Sequence, residues 1–153
     1  MGPRIDYQKM ATEPLKAMYQ LGGYLKKCGL EHSLLELVKI RVSQINGCGF
    51  CLDMHTKDAR VAGETEQRIY LLNAWRESPQ FTPRERAALA WAEALTRIEG
   101  GAPDDCFAEV SSQFNEKEVV DLTWAVVAIN GWNRLAISFR VVPGTYTPGQ
   151  FDA

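Results

Sequence analysis

The sequence predicts an all-α protein, folded as a compact bundle of several helices. Apolar residues recur at the three- and four-residue spacing of amphipathic helices from one end of the chain to the other, and the alternating pattern of half-buried strands is nearly absent. Residues that typically begin and end helices separate these stretches. With 153 residues, the chain can bury a core without disulfide staples, so we expect a single domain over residues 1–153.

The first half of the chain contains three predicted helices. Pro14 suits the first turn of a helix that Gly29 closes. Ser33-Leu34-Leu35-Glu36 has the form of a capping box and begins the next helix, which is expected to stop at Asn46-Gly47. A third helix follows over about residues 48–63.

Two further helices are predicted in the middle of the chain. Residues 64–75 predict a helix that Ser78-Pro79 ends. Thr82-Pro83-Arg84-Glu85 combines a capping box with proline at the first helical position, which indicates a helix that continues to Gly100-Gly101.

The last third of the sequence predicts a short helix over residues 104–114 and a more apolar one after the capping residues 115–118. Residues 119–129 of this last helix are apolar on nearly all sides. Such a helix is either buried at the centre of a fold or packed in a subunit interface, so we expect a homo-oligomer. Residues 132–142 either continue this helix or turn into extended chain.

The charge balance and the distribution of apolar residues argue against two classes of partner. The chain has 17 Lys plus Arg and 19 Asp plus Glu, a net charge of −2 without a basic stripe, so nucleic acid is not a predicted partner. No stretch reaches the roughly 18 consecutive apolar residues of a membrane span, and charged residues occupy the N-terminus where a signal peptide needs an apolar run. We therefore expect no membrane partner and a cytoplasmic location.

The most informative motif is the octapeptide from Cys48 to His55. In a helix, Cys48, Cys51 and His55 lie on one face, because residues three and four apart are neighbours. A helix N-terminus or a neighbouring imidazolium lowers the pKa of a thiol and so favours the reactive thiolate. The other two cysteines, Cys28 and Cys106, have no close partner in sequence and are expected to be small buried hydrophobic residues.

The spacing decides among the known uses of a Cys-x-x-Cys pair. A structural zinc site needs a fourth ligand beside Cys48, Cys51 and His55, and the candidates are Glu36, His32, Cys28 and Cys106. Haem attachment requires histidine directly after the second cysteine, where this chain has Leu52, and a thioredoxin-like fold requires βαβ units, which the helical pattern does not offer. A glycine-rich dinucleotide turn is also missing, so we expect neither a bound cofactor nor a metal, and a redox dithiol on a helical scaffold remains.

Glu36 is the fourth candidate site residue. The tight Asn46-Gly47 turn can fold its helix back against the next one, so that the carboxylate approaches His55. A carboxylate beside an imidazole fixes its tautomer and makes it a better proton acceptor for a neighbouring thiol. The alternative is that Glu36 only fills the third position of the Ser33 capping box.

These residues together resemble a family motif: Glu36, then Cys48, Cys51 and His55 at spacings of eleven, two and three intervening residues. The pattern is similar to that of the AhpD-like alkylhydroperoxidase branch of the carboxymuconolactone decarboxylase family, over about residues 33–95. The resemblance implies that Cys51 is the peroxidatic thiol, Cys48 the resolving thiol, and His55 and Glu36 a proton relay. Phe50 departs from the family pattern, because the type member has histidine between the cysteines.

The resemblance implies a thiol-dependent peroxidase acting on alkyl hydroperoxides, or a disulfide reductase coupled to a peroxidase. It further implies a trimer or hexamer, an external lipoyl-type dithiol as the reductant, and as partner a thiol- or lipoyl-bearing reductant protein or a peroxiredoxin. We expect this reductant to attack Cys48, at the open start of its helix. Two alternatives stay open: a non-enzymatic redox sensor or interaction module that uses the same cysteine pair, and a structural zinc protein.

Overall fold

Helices form the whole framework of residues 2–151, which are the residues that the computed structural model describes. Within that range there are eight α-helices, two short 3-10 helices and no strand, which confirms the predicted all-α class. The α-helices are α1 (Tyr7–Met10), α2 (Thr12–Leu25), α3 (His32–Asn46), α4 (Gly49–Val61), α5 (Glu66–Leu71), α6 (Pro83–Thr96), α7 (Asp104–Gln113) and α8 (Glu116–Phe139), and the 3-10 helices span Leu72–Ala74 and Ile98–Gly100.

Helix α3 lies at the centre of the bundle, and α4, α6 and α8 pack around it. Residues 34–38 and 40–43 of α3 are all buried. A helix buried on several sides must satisfy every polar group it carries, because an unpaired buried polar group is costly. The central position of α3 therefore takes Glu36 into the interior and requires partners for its carboxylate.

The core consists of two clusters on opposite sides of α3. The larger cluster joins α3 to α6 and α8 and includes Val38, Leu122 and Val126, and it also contains both Cys48 and Cys51. The smaller cluster lies between α3, the 3-10 helix after α5 and α6, with Leu37, Ile40, Leu72 and Leu89 fully buried. The cysteine pair is thus fixed against the main apolar core.

Several predicted helix ends are confirmed by their local geometry. Thr82 and Glu85 form the predicted capping box at the start of α6, with Pro83 as its first residue. Asn115 and Glu118 form another at the start of α8. Gly47 ends α3 in the left-handed region, with φ 70°, a conformation that glycine adopts without a steric penalty.

Other predicted boundaries are wrong. The capping box at Ser33 does not form: α3 already begins at His32, and Glu31 at its N-cap position makes no side-chain capping bond. The fourth predicted helix, over residues 64–75, is a short α5 followed by a 3-10 turn, because Leu72 and Trp75 are drawn into the smaller core cluster. The first long helix ends at Leu25, before the predicted Gly29.

Helix α8 continues as a single helix to Phe139, which resolves the question left open for residues 132–142. Its inner side is buried, whereas Val120, Trp124 and Val127 form an outer row that is about half exposed, at 55%, 48% and 49%. The oligomer expected from this apolar helix stays a prediction. Between residues 2 and 151, no helix combines the length and the apolar character that crossing a bilayer requires.

Candidate active site

A two-residue turn positions the cysteine pair. Gly47 ends α3, and Cys48 is the N-cap of α4, so the two helices are joined almost without a linker. The N–H of Cys48 donates to the carbonyl of Ser43 at 3.0 Å, which fixes the turn to the end of α3. This connection folds α4 back along α3, as the sequence predicted, and brings its first two turns next to Glu36.

The two sulfur atoms of Cys48 and Cys51 lie at disulfide distance, with their Cα atoms 5.4 Å apart. The N–H of Cys51 also donates to the Cys48 sulfur at 3.4 Å, so this sulfur caps the helix. Helix N-termini stabilise negative charge, which favours a thiolate at Cys48 when the pair is reduced. Cys28 and Cys106 are free thiols, and burial raises the pKa of Cys106.

Glu36 and His55 are in direct contact. The Oε2 atom of Glu36 lies 2.9 Å from Nδ1 of His55, and its Oε1 atom accepts from Nζ of Lys39 at 2.8 Å. Both members of the pair are buried, at 3% and 8% exposure. Of the two interpretations of Glu36, contact with His55 is confirmed and the capping role is wrong.

The electrostatics of the site define the charge of Glu36. Burial by itself would raise the pKa of the Glu36 carboxyl group, but the hydrogen bonds and charges of His55 and Lys39 outweigh burial and lower that pKa from 4.5 to about 2. Glu36 is therefore ionised at neutral pH and accepts a hydrogen bond from Nδ1–H of His55. In a neutral imidazole this leaves Nε2 as the nitrogen that can accept a proton.

A cavity of about 980 Å³ adjoins these groups, and Cys51, His55 and Glu36 all contribute to its lining. Cys51 and His55 are four residues apart on α4 and so present neighbouring positions of one helix face. Phe50, which lies between the two cysteines where the type member of the resembled family has histidine, is half-buried and lines the same cavity. The cavity gives Cys51 a route to a small molecule although its side chain is only 1% exposed.

The expectation of an open position for Cys48 is wrong. This residue is 1% exposed and is not among the residues that line the cavity. Pro143, from the segment after α8, packs against Gly49 at the start of α4: a Cβ atom added to Gly49 would lie 3.5 Å from its Cγ atom. Of the two cysteines, Cys51 lines the cavity and Cys48 does not, although both belong to the larger core cluster.

The site contains two further polar residues, which sequence reasoning did not identify. Asp58 lies on α4 three residues after His55, and the hydroxyl of Tyr146 donates to its two carboxylate oxygens, at 2.9 and 3.0 Å. Asp58 was detectable as the next residue on the Cys51 and His55 face of the helix. Tyr146 comes from the irregular tail, where no local pattern marks it.

One group of side chains in the described range has the spacing of metal ligands: atoms of Glu36, His55 and Asp58 lie within 4.8 Å of one another. These are carboxylate and imidazole ligands and include neither cysteine, unlike the expected zinc alternative. The Lys39 ammonium group already occupies one Glu36 oxygen, and a cation would be repelled by it. The arrangement suits proton transfer better than metal binding.

Comparison with known proteins identifies the family. The model of the carboxymuconolactone decarboxylase family matches residues 12–94, which include α2, α3, α4 and most of α6. The chain belongs to this family. Its uncharacterised relative YdfG from Bacillus subtilis is 45% identical over 139 residues, which cover 90% of this chain and 95% of the relative.

Two further similar proteins point toward the AhpD-like branch of this family. A crystal structure of a protein of unknown function from Agrobacterium tumefaciens, a candidate antioxidant defence protein AhpD, has a TM-score of 0.90 and 46% identity and covers 95% of this chain and 100% of its own. The alkyl hydroperoxide reductase AhpD of Bradyrhizobium diazoefficiens is 44% identical over 41 residues, 27% of this chain and 22% of that protein. The first of these similarities confirms the AhpD-like fold.

Proposed function

We propose that this protein is a thiol-dependent peroxidase that reduces organic hydroperoxides. The observation that carries the proposal is one arrangement: a cysteine that lines a cavity, four residues before a histidine paired with an ionised carboxylate, with a second sulfur at disulfide distance from it. Family membership and similarity to AhpD-like proteins support the same chemistry.

In the first step, His55 accepts the thiol proton of Cys51, while Glu36 holds the imidazole through Nδ1. The thiolate attacks the terminal oxygen of the hydroperoxide, so that an S–O bond forms and the O–O bond breaks. The Cys51 sulfur is oxidised to sulfenic acid, and the leaving alkoxide takes the proton back from His55 to give an alcohol. The hydroperoxide is thereby reduced by two electrons.

In the second step, Cys48 attacks the sulfenic sulfur of Cys51. The S–S bond forms, the S–O bond breaks, and the hydroxide leaves as water with the proton of the Cys48 thiol. The short Cα separation of 5.4 Å allows this bond to form within the folded chain. Cys48 is suited to this role because its sulfur accepts the Cys51 N–H at the helix N-terminus, which favours the thiolate.

An external dithiol completes the cycle, and we propose a lipoyl-type group on a partner protein. Both sulfurs are only 1% exposed, so a reductant must enter through the cavity on a slender arm. Its thiolate attacks Cys51, the cysteine that lines the cavity, and Cys48 departs as a thiolate at the helix N-terminus. The second thiol of the reductant then releases Cys51, and the reductant becomes a disulfide. In a Cys48→Ser variant oxidised by a hydroperoxide, a monothiol analogue of the reductant should remain on Cys51 as a mixed disulfide, because no second thiol is present to release it.

The test is consumption of a hydroperoxide with dihydrolipoamide as electron donor, for the wild type, Cys51→Ser and Cys106→Ser. We expect many turnovers for the wild type and for Cys106→Ser. Cys106 is the control because its thiol has a raised pKa and lies on α7. Cys51→Ser should be inactive. Reaction that stops after one equivalent of hydroperoxide would favour the redox sensor instead, and turnover by Cys51→Ser would contradict the proposal.

A further inference from the structure

The segment after α8 is fastened along α4 by successive contacts. The N–H of Gly144 donates to Oδ2 of Asp53 at 2.9 Å, and Nζ of Lys57 donates to the carbonyl of Tyr146 at 2.9 Å. The Tyr146 hydroxyl then bonds Asp58, as described above. These contacts follow one another along the helix that carries Cys51 and His55, so the segment, residues 143–151, has a fixed position beside the site.

This segment forms one wall of the cavity. Tyr146 is only 6% exposed, its ring stacks with that of Phe151 at a centroid distance of 5.8 Å, and both line the cavity together with Pro148 and Gln150. The hydrogen bond to Asp58 holds the Tyr146 hydroxyl beside α4, about one turn beyond His55 and about two turns from Cys51. The wall is therefore aromatic on the His55 side of the cavity.

Aromatic side chains also reach the cavity from other elements. Tyr19 of α2 and Trp132 of α8 are in ring contact at 5.4 Å and line it, as do Tyr7 and Phe50. Aromatic rings favour offset or edge-to-face contact with another ring, which strengthens binding by about two- to tenfold beyond the burial of apolar area. A lining of this kind discriminates between an aryl group and an alkyl group of similar polarity.

We propose that the cavity binds aryl-bearing hydroperoxides and that Tyr146 is a specificity-determining residue for them. The inference rests on the proposed function in taking Cys51 as the reacting thiol, and it goes beyond it in naming the substrate class. The Tyr146 ring contacts the aryl group of the substrate, and the Asp58 carboxylate keeps that ring in the wall. The reduced product is the corresponding aryl-bearing alcohol, which remains a ligand of the same cavity.

Binding of the product alcohols tests this without requiring any turnover. The affinities of 2-phenylpropan-2-ol and of tert-butanol are measured by calorimetry on the oxidised protein, for the wild type, Tyr146→Ala and Tyr70→Ala. Tyr70 is the matched control, because it is a 68% exposed tyrosine on α5 whose hydroxyl also bonds a carboxylate. We expect Tyr146→Ala to weaken binding of the aryl alcohol by about two- to tenfold, the range for one lost ring contact, and to leave tert-butanol binding unchanged. Tyr70→Ala should bind both alcohols as the wild type does.

A kinetic arm separates the failure of this inference from failure of the proposed function. The kcat/KM ratio of cumene hydroperoxide to tert-butyl hydroperoxide should fall by about two- to tenfold in Tyr146→Ala. A protein that binds the aryl alcohol selectively but turns over neither hydroperoxide would contradict the peroxidase proposal alone. Equal affinity for the two alcohols, or an aryl preference unchanged in Tyr146→Ala, would overturn the inference. If circular dichroism shows that Tyr146→Ala is unfolded, the same measurements are made on Tyr146→Leu, which keeps an apolar side chain, and the same outcomes support or overturn the inference.

Discussion

Replacing Glu36 by glutamine should change both the stability of the protein and its dependence on pH. The carboxylate is 3% exposed and bonds His55 and Lys39, and these partners lower its pKa to about 2. The folded-state pKa lies below the ordinary 4.5, so the ionised group stabilises the fold above about pH 4.5 and this stabilisation is lost as the pH falls toward 2. At pH 7 the lowered pKa of Glu36 contributes about 3 kcal/mol to the free energy of unfolding, of which about 2 kcal/mol should be lost by pH 3.

Urea unfolding of the wild type and Glu36→Gln between pH 7 and pH 3 measures this contribution. The difference in unfolding free energy between the two proteins should shrink by about 2 kcal/mol over that range, because glutamine does not titrate. Glu13→Gln is the matched control: Glu13 also pairs with a lysine three residues later, Lys16, but on the surface, where such pairs contribute about 0–1 kcal/mol. A wild-type minus Glu36→Gln difference that stays constant with pH would refute the assignment of Glu36 as a buried carboxylate held in its ionised form.

The same variant tests the proposed catalytic role of Glu36. Loss of the carboxylate leaves an amide that can still accept from His55, but the charge that stabilises an imidazolium is gone. The oxidation rate of Cys51 by a hydroperoxide should therefore fall by about 10²-fold, the lower part of the range for general-base assistance. A rate equal to that of the wild type, in a variant shown to be folded, would mean that the pair is structural.

Three other outcomes are expected. A mild excess of hydroperoxide should close the disulfide between Cys48 and Cys51 and leave Cys28 and Cys106 reduced, and mass mapping that finds either of the latter in the main disulfide would contradict this. Asn133→Ala should lower the unfolding free energy by about 1–3 kcal/mol, because this fully buried amide bonds both Ser43 and the Asn46 side chain before the cysteine turn, and chemical denaturation measures that loss. Light scattering at micromolar concentration should give an oligomeric mass, since the outer row of α8 is apolar and half exposed, and a monomeric mass would reject the assembly.

Local spacing predicted the centre of the candidate site. Cys48, Cys51 and His55 are related by the helical repeat alone, and the glycine turn at Gly47 fixes how the two helices meet. The approach of Glu36 to His55 follows from these two facts, because a short turn makes sequence neighbours into packing neighbours. Near-range physics was sufficient for this part of the fold.

The remainder depends on contacts between residues far apart in the chain. Tyr146 reaches Asp58 from 88 residues away, and nothing in the composition of the tail marks which of its residues is buried. The mistaken expectation of an exposed Cys48 has the same origin, because it is Pro143 that packs over the start of α4. The capping motif at Ser33 failed for a related reason: the central burial of α3 commits Glu36 to His55 and Lys39 instead.

The central claim is that Cys51 is the sulfur that a hydroperoxide oxidises. The most direct measurement uses the Cys48→Ser variant, which lacks the thiol that would attack a sulfenic acid on Cys51. The variant reacts with one equivalent of hydroperoxide in the presence of dimedone, which traps the sulfenic acid. Mass spectrometry of the peptide that contains position 51 should show one dimedone adduct on Cys51, in proportion to the hydroperoxide consumed. Consumption of the hydroperoxide with no adduct on Cys51, or with the adduct on Cys28 or Cys106, would contradict the account.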